Sequence, residues 1–292
     1  MSIRFHTCAA RIIFVIPFAA LLYSPSEAWS GPILGTLQGF AVVGSQTVTN
    51  TGTTTIYGNV GLSPGSSITG FGTVTQTGTE DIDNGPAVQA QSDATAALVA
   101  LTALALPLTP TNLTGVDLGT YNAANPLTPG VYTFSSSAQL TGTLYLNAQG
   151  NQNALFIFEI GSTLTTATSS AVDVINGGAG VGVFWEVGSS ATLGTGTAFE
   201  GNIIAADSIT LNTGASILCG RAIAQTGAVT LQANSISDTC TGAGALGSGA
   251  NDFGSLGFAG DSVPEPGTVL LPGLGLFALL FWRRRCAGNS SS

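Results

Sequence analysis

Few side chains in this 292-residue chain could carry acid–base or metal chemistry. Glu159 and Glu186 stand at matching places in two similar apolar runs, Leu155-Phe156-Ile157-Phe158-Glu159-Ile160 and Val183-Phe184-Trp185-Glu186-Val187. Paired carboxylates of that kind serve extracellular polysaccharide lyases and hydrolases, which abstract and deliver protons. The alternation of the runs reads the two Glu more simply, as outward residues on neighbouring strands. Glu80-Asp81-Ile82-Asp83 could hold Ca²⁺. Acidic groups also favour helix N-termini, and a solvated loop ahead of a helix accounts for this cluster. Between residues 29 and 262 there is no His and no Lys, and Arg221, at the corner of a repeat unit, is the only basic side chain. No nucleophile triad, metal cluster or phosphate loop is present, and the Gly residues fall in no G-x-G-x-x-G frame. The sequence therefore predicts no catalytic residue, no metal, no cofactor and no enzyme.

Charge narrows the partners. Of the 15 Asp and Glu, all but Glu27 and Glu265 lie in 29–262, and of the six basic residues only Arg221 does, so this stretch carries a net charge of −12. Such a surface repels phosphate backbones and excludes nucleic acid as a partner. With so few charges, solubility must come from the abundant Thr, Ser and Asn. Cys219 and Cys240 form an even pair in this stretch, which in an exported chain reads as a disulfide stapling one repeat to the next. Two buried free thiols are the alternative.

The elements that must position these residues are repetitive. A Thr-Leu pair recurs at Thr143, Thr163, Thr192, Thr210 and Thr230, with separations of 20, 29, 18 and 20 residues. The long interval contains the Gly-rich insert Asn176 to Gly180. A strand-like, Gly-punctuated unit of about 19 residues marks a β-solenoid, in which each unit buries its apolar residues only by stacking on the next. Asn50-Thr51-Gly52 followed by Gly58-Asn59 matches Asn212-Thr213-Gly214 followed by Gly220-Arg221, so the two ends of the domain read as coils of one solenoid. Between them, residues 85–105 are rich in Ala, Gln and Leu, which is helix composition. Asp83 or Asn84 can cap this helix, Pro86 suits its first turn, and Pro107 and Pro110 end it. Ala90, Ala94, Ala97, Leu98, Leu101 and Leu104 share one face, predicting a helix laid along the solenoid's flank.

Both chain ends read as targeting segments. Residues 1–28 have a basic start (Arg4, Arg11), an apolar run from Ile12 to Leu22 and a small-x-small site at Ser26-Glu27-Ala28, the pattern of a signal peptide. Residues 241–262 form a Gly/Ser-rich linker. Pro264, Glu265 and Pro266 then precede an apolar helix at 267–282, Arg283-Arg284-Arg285 and a short tail at 286–292. The segment 263–285 resembles the PEP-CTERM sorting tail of Gram-negative bacteria. That resemblance implies transient membrane insertion, recognition by an exosortase-type protease, and release to the cell surface, outer envelope or extracellular matrix. A plain C-terminal anchor would also leave the chain exported.

From about Leu34 to Thr239 the chain resembles the microbial ice-binding proteins. The resemblance rests on Phe40-Ala41-Val42-Val43, Gly58-Asn59-Val60-Gly61-Leu62-Ser63-Pro64-Gly65, Leu127-Thr128-Pro129-Gly130-Val131-Tyr132, Ala191-Thr192-Leu193-Gly194-Thr195-Gly196-Thr197 and Ile209-Thr210-Leu211-Asn212-Thr213-Gly214. It implies a mainly β fold, a right-handed discontinuous β-solenoid over 29–240 with one long α-helix packed along its side. It implies an ice/water lattice as partner, met by a flat Thr-rich face. Thr suits such a face because β-branching stiffens a side chain carrying both methyl and hydroxyl. The family's partial motif, Thr-(Ala/Gly)-x-(Thr/Asn), is met in full at Thr51-Gly52-Thr53-Thr54 and in its first half from Thr166, Thr195 and Thr213. The expected face is therefore Thr51, Thr53, Thr166, Thr168, Thr195, Thr197 and Thr213. An adhesin or matrix scaffold of the same fold, bound to extracellular polysaccharide, is the alternative.

Overall fold

The computed structural model describes residues 33–239, apart from 107, 178 and 179. The expected leader, linker, sorting segment and tail lie outside the described residues.

Short runs of alternating apolar and small polar residues form strands, and tight turns every few residues bend the chain from one sheet to the next. Coil after coil, the chain visits three sheets in the same order. Gly182–Val187, Ala191–Leu193 and Ala198–Glu200 make one coil. Asn202–Ala205, Ile209–Leu211 and Ser216–Leu218 make the next, and Ala222–Ala224, Val229–Gln232 and Ser235–Ser237 the one after. Among the described residues the first sheet has nine strands and the second and third have seven each. Every pairing between their strands is parallel, as stacked coils require.

The stack is discontinuous in sequence. The coil that holds Ala222–Ala224, Val229–Gln232 and Ser235–Ser237 does not end it. Its three strands pair with Phe40–Gly44, Thr47–Thr51 and Thr54–Tyr57. From there the N-terminal segment continues outward through Asn59–Leu62, Ser67–Thr69, Val74–Gln76 and Glu80–Ile82. The acidic residues Glu80 and Asp81, expected in a loop, lie instead on that last strand, where they pair with Val60 and Gly61. A parallel strand needs only backbone partners on one side, so an edge accommodates charged side chains.

Two apolar layers hold the fold. Inside the coils, Leu, Ile and Val from all three sheets form one column. Aromatic rings reinforce it: Tyr132 stacks on Phe158 with centroids 5.2 Å apart, Phe158 on Trp185 at 3.9 Å, and Trp185 tilts against Phe199 at 4.9 Å. The Trp185 Nε1–H donates to the Glu200 carbonyl at 3.1 Å, so its polar edge is not stranded.

The second layer lies outside the first sheet, under the helix α1 (Gly85–Ala105). Asn84 caps it by accepting from the Ala87 amide, and Pro86 occupies the first turn. Ala90, Ala94, Ala97 and Leu101 pack against Phe40, Val43, Val131, Ile157, Phe184, Ile204 and Ile223, with Leu98 and Leu104 at the margin. The small Ala side chains let the helix axis approach the sheet closely. Asp93 fastens it further by accepting from the Thr36 amide and hydroxyl at 2.6 and 2.7 Å. Burial alone would raise the Asp93 pKa, but these bonds and one from Gln89 outweigh it and leave the carboxyl below its usual range.

Candidate functional site

The outer face of the second sheet is set by what points inward. Leu164, Ala191, Ile209, Val229 and Val48 are buried on one side of each strand's central residue, and Leu193, Leu211 and Leu231 on the other. Alternation then forces the residue between them outward. That residue is Thr165, Thr192, Thr210, Thr230, Thr49 and Thr69 in six successive strands, each the register partner of the next. Gln139 ends the rank beyond Thr165. At a strand spacing of about 4.8 Å, six Thr extend roughly 24 Å.

A second rank runs beside it, two residues earlier in each strand: Thr163, Ser190, Ser208, Ala228, Thr47 and Ser67. All are short. The Ser208 amide donates to the Ser190 hydroxyl at 3.3 Å and the Ala228 amide to the Ser208 hydroxyl at 3.2 Å, which ties the rank to the backbone beneath. The two ranks form a surface of methyl and hydroxyl groups with no charged member. The other sheets differ. Outward positions of the third include Tyr145, Asp173 and Tyr57, and the outside of the first is largely taken by α1.

The Thr residues expected from the motif sit elsewhere. Thr51, Thr168, Thr195 and Thr213 are exposed, but at the corner where the chain leaves the second sheet for the third. They form a row there with Gln232, linked by amide-to-carbonyl bonds from Ser169 to Thr195, Gly196 to Thr213, Gly214 to Gln232 and Ala233 to Thr51. The residue after each has a left-handed backbone: Gly52 φ 78°, Ser169 φ 56°, Gly196 φ 66°, Gly214 φ 70° and Ala233 φ 52°. The motif's Gly therefore serves the turn, where φ > 0 costs Gly nothing. Thr53 is exposed in the same turn.

Thr166 and Thr197 are buried, 3% and 0% exposed, and are corrected from the expected face to the interior. Their hydroxyls bond to each other at 2.7 Å, and the Gly194 amide donates to Thr166 at 2.8 Å. Further along the same inner edge, the Asn234 side chain donates to the Asn212 and Ala215 carbonyls, each at 2.9 Å, and its amide donates to Thr54. Thr54 in turn donates to Asn50 at 2.6 Å. These polar side chains close the corner from inside. Arg221, expected at a corner, is likewise fully buried, donating to the Leu37 and Gln38 carbonyls and to Asn202 Oδ1.

The sequence did carry a signal for the outward rank of the second sheet. Thr192, Thr210 and Thr230 are the first members of the recurring Thr-Leu pairs. The signal was blurred because Thr163-Leu164 stands two residues out of phase with them, and Thr143-Leu144 belongs to the third sheet.

The carboxylates also find their places. Glu159 and Glu186 are ladder partners on the outside of the first sheet. Burial, and then the neighbouring Glu159 charge, push Glu186 up to about 7. Glu200, 1% exposed, is pushed up to about 8 by burial, with Asp173 adding to the rise and a hydrogen bond from the Val174 amide opposing it. Among the described residues no group of three or more His, Cys, Asp or Glu is placed to hold a metal ion. Cys219 is buried, with φ 53°. Its expected partner Cys240 lies outside the described residues.

Residues 42–237 match the ice-binding-like family. The ice-binding protein of Nostoc sp. (strain HG1) is 47% identical over 231 residues, covering 79% of this chain and 82% of that one. The chain belongs to the ice-binding-like family. Ice-binding protein 1 of Shewanella frigidimarina (strain NCIMB 400) is 32% identical over 70% of this chain, which spans only 26% of that longer protein. Among solved structures, an ice-binding protein from an Antarctic biological consortium superposes with a TM-score of 0.63 at 39% identity, covering 70% of this chain and 90% of that one. One from the Antarctic ascomycete Antarctomyces psychrotrophicus gives 0.60 at 35% identity, covering 71% and 98%. Residues 262–285 match the PEP-CTERM protein-sorting motif.

Proposed function

We propose that this member of the ice-binding-like family adsorbs to ice through the outer face of its second sheet. The observation that carries the reading is the unbroken rank Thr165, Thr192, Thr210, Thr230, Thr49 and Thr69. Water over such a face meets methyl groups that cannot bond it and hydroxyls that can, both at the fixed spacing of the strands. Because the Thr side chains are held by β-branching and by buried neighbours, little entropy is lost when they meet a crystal. No chemical step is needed, and the chain is read as a non-enzymatic binding protein.

The remaining assignments follow the same reading. Residues 1–28 act as a signal peptide, and the 263–285 segment directs sorting by an exosortase-type protease to the surface of a Gram-negative cell. Cys219 and Cys240 form a disulfide that staples one coil to the next. The test is partition of the fluorescently labelled chain into a slowly grown ice hemisphere. Wild-type chain and a Thr55→Tyr variant on the third sheet enter the ice, whereas Thr192→Tyr stays in the liquid. Equal entry of Thr192→Tyr and wild type would remove the second sheet as the site.

A further inference from the structure

Between the C-terminal half of α1 and the outer face of the first sheet lies an open groove of about 560 Å³. Its floor is the outward rank of Thr133, Glu159, Glu186 and Ile204, consecutive register partners. Leu98 and Thr102 of α1 form one wall, and Ile204 at the end of the floor adds apolar lining. The two carboxylates are carried by strands about 4.8 Å apart. Glu186 Oε1 is buried and accepts no hydrogen bond from the described residues. The lining from every element packed here, Leu98, Thr102, Asn112, Thr133, Ile204 and Gln225, is uncharged. Among the described residues Arg221 is the only basic side chain, and its guanidinium is engaged elsewhere with Leu37, Gln38 and Asn202. Two neighbouring carboxylates thus share a half-apolar groove with no cation among the described residues that line it.

We propose that this groove binds a protonated aliphatic amine, with its ammonium between Glu159 and Glu186 and its hydrocarbon body along Leu98 and Ile204. Charge complementarity selects the ammonium, since a buried carboxylate is costly until paired. The apolar wall selects the hydrocarbon, which a metal ion would leave exposed to water. Bringing in a cation also relieves the repulsion between the two carboxylates. Glu186 ionises through about pH 7, so the amine binds more tightly as pH rises from 6 to 8.

Calorimetric titration of the full chain with hexylamine at pH 6, 7 and 8 tests this. The expected result is saturable binding that strengthens toward pH 8, with affinity at least tenfold above that for 1-hexanol. Glu159→Gln and Glu186→Gln each lower it by about tenfold, while ice partition of both variants is unchanged. Thermal melts confirm that the variants fold; should Glu186→Gln fail to, Glu159→Gln and the pH series still decide. No saturable binding, equal affinity for 1-hexanol, undiminished binding in Glu159→Gln, or displacement by millimolar Ca²⁺ at constant ionic strength would each overturn the proposal. Ice adsorption is read separately, so failure here leaves the second-sheet assignment standing.

Discussion

Thr230 and Thr49 lie 181 residues apart in sequence, yet they are register partners on adjacent parallel strands, with the Thr49 hydroxyl donating to Thr230 Oγ1 at 3.4 Å. This contact crosses the seam where the C-terminal coils meet the N-terminal ones. The candidate face is continuous only because the seam holds it in register. A slip of one residue would turn Val48 outward and Thr49 inward.

Asn234 guards that seam from inside. Its side chain bonds the Asn212 and Ala215 carbonyls and its amide bonds Thr54. Asn234→Ala removes the side-chain donor to the Ala215 carbonyl, at about 1–3 kcal/mol for a buried group left unpaired, while the Asn212 carbonyl keeps the Ala215 amide and the backbone amide at 234 keeps Thr54. For a domain of this size that lowers Tm by several degrees. Differential scanning calorimetry checks this, and an unchanged Tm would show that the Asn234 side chain does not hold the corner beside the seam.

Glu200 makes stability depend on pH. Its folded pKa, about 8, lies above the ordinary value of 4.5, so the folded state binds the proton more tightly than the unfolded chain. The stabilisation is full below about pH 4.5 and is lost as pH rises through 8. Glu186, at about 7, acts in the same direction over a narrower range. Wild-type Tm is therefore expected to fall between pH 5 and 8.5, and Glu200→Gln to flatten that fall and melt higher at pH 8.5. A steeper fall in the variant would contradict the assignment.

The helix seat tolerates little added volume. Ala97 is fully buried between α1 and the first sheet. Ala97→Leu is expected to cost about 1–3 kcal/mol through overpacking. Ice partition should persist at temperatures where the variant remains folded, because α1 and the second sheet occupy different sides of the coil. Loss of partition in a fully folded Ala97→Leu would show that the face depends on the helix.

Much of this was legible in the sequence. The solenoid shows in the recurring Thr-Leu pairs, and α1 shows in Ala90, Ala94, Ala97 and Leu101 bracketed by Asn84 and Pro107. The match of Thr51 with Thr213 foreshadowed the spliced stack, since both hold the same corner position. The facing of individual Thr was not legible. Thr165 points out and Thr166 in, and composition cannot separate them. Between Thr192 and Thr195 the chain leaves the strand for a left-handed corner at Gly196, so strand alternation no longer predicts orientation there. The Thr-Gly motif marks that turn, while the outward rank lies two or three residues before it.

The decisive measurement is the thermal hysteresis gap of a single ice crystal, compared among wild type, Thr210→Tyr at the centre of the outward rank, Thr213→Tyr at the corner and Thr75→Tyr on the third sheet. Thr210→Tyr lifts the face off the lattice, and most of the gap is expected to be lost in that variant, with a smaller loss in Thr213→Tyr and none in Thr75→Tyr. A full gap in Thr210→Tyr, with loss in Thr75→Tyr, would contradict it.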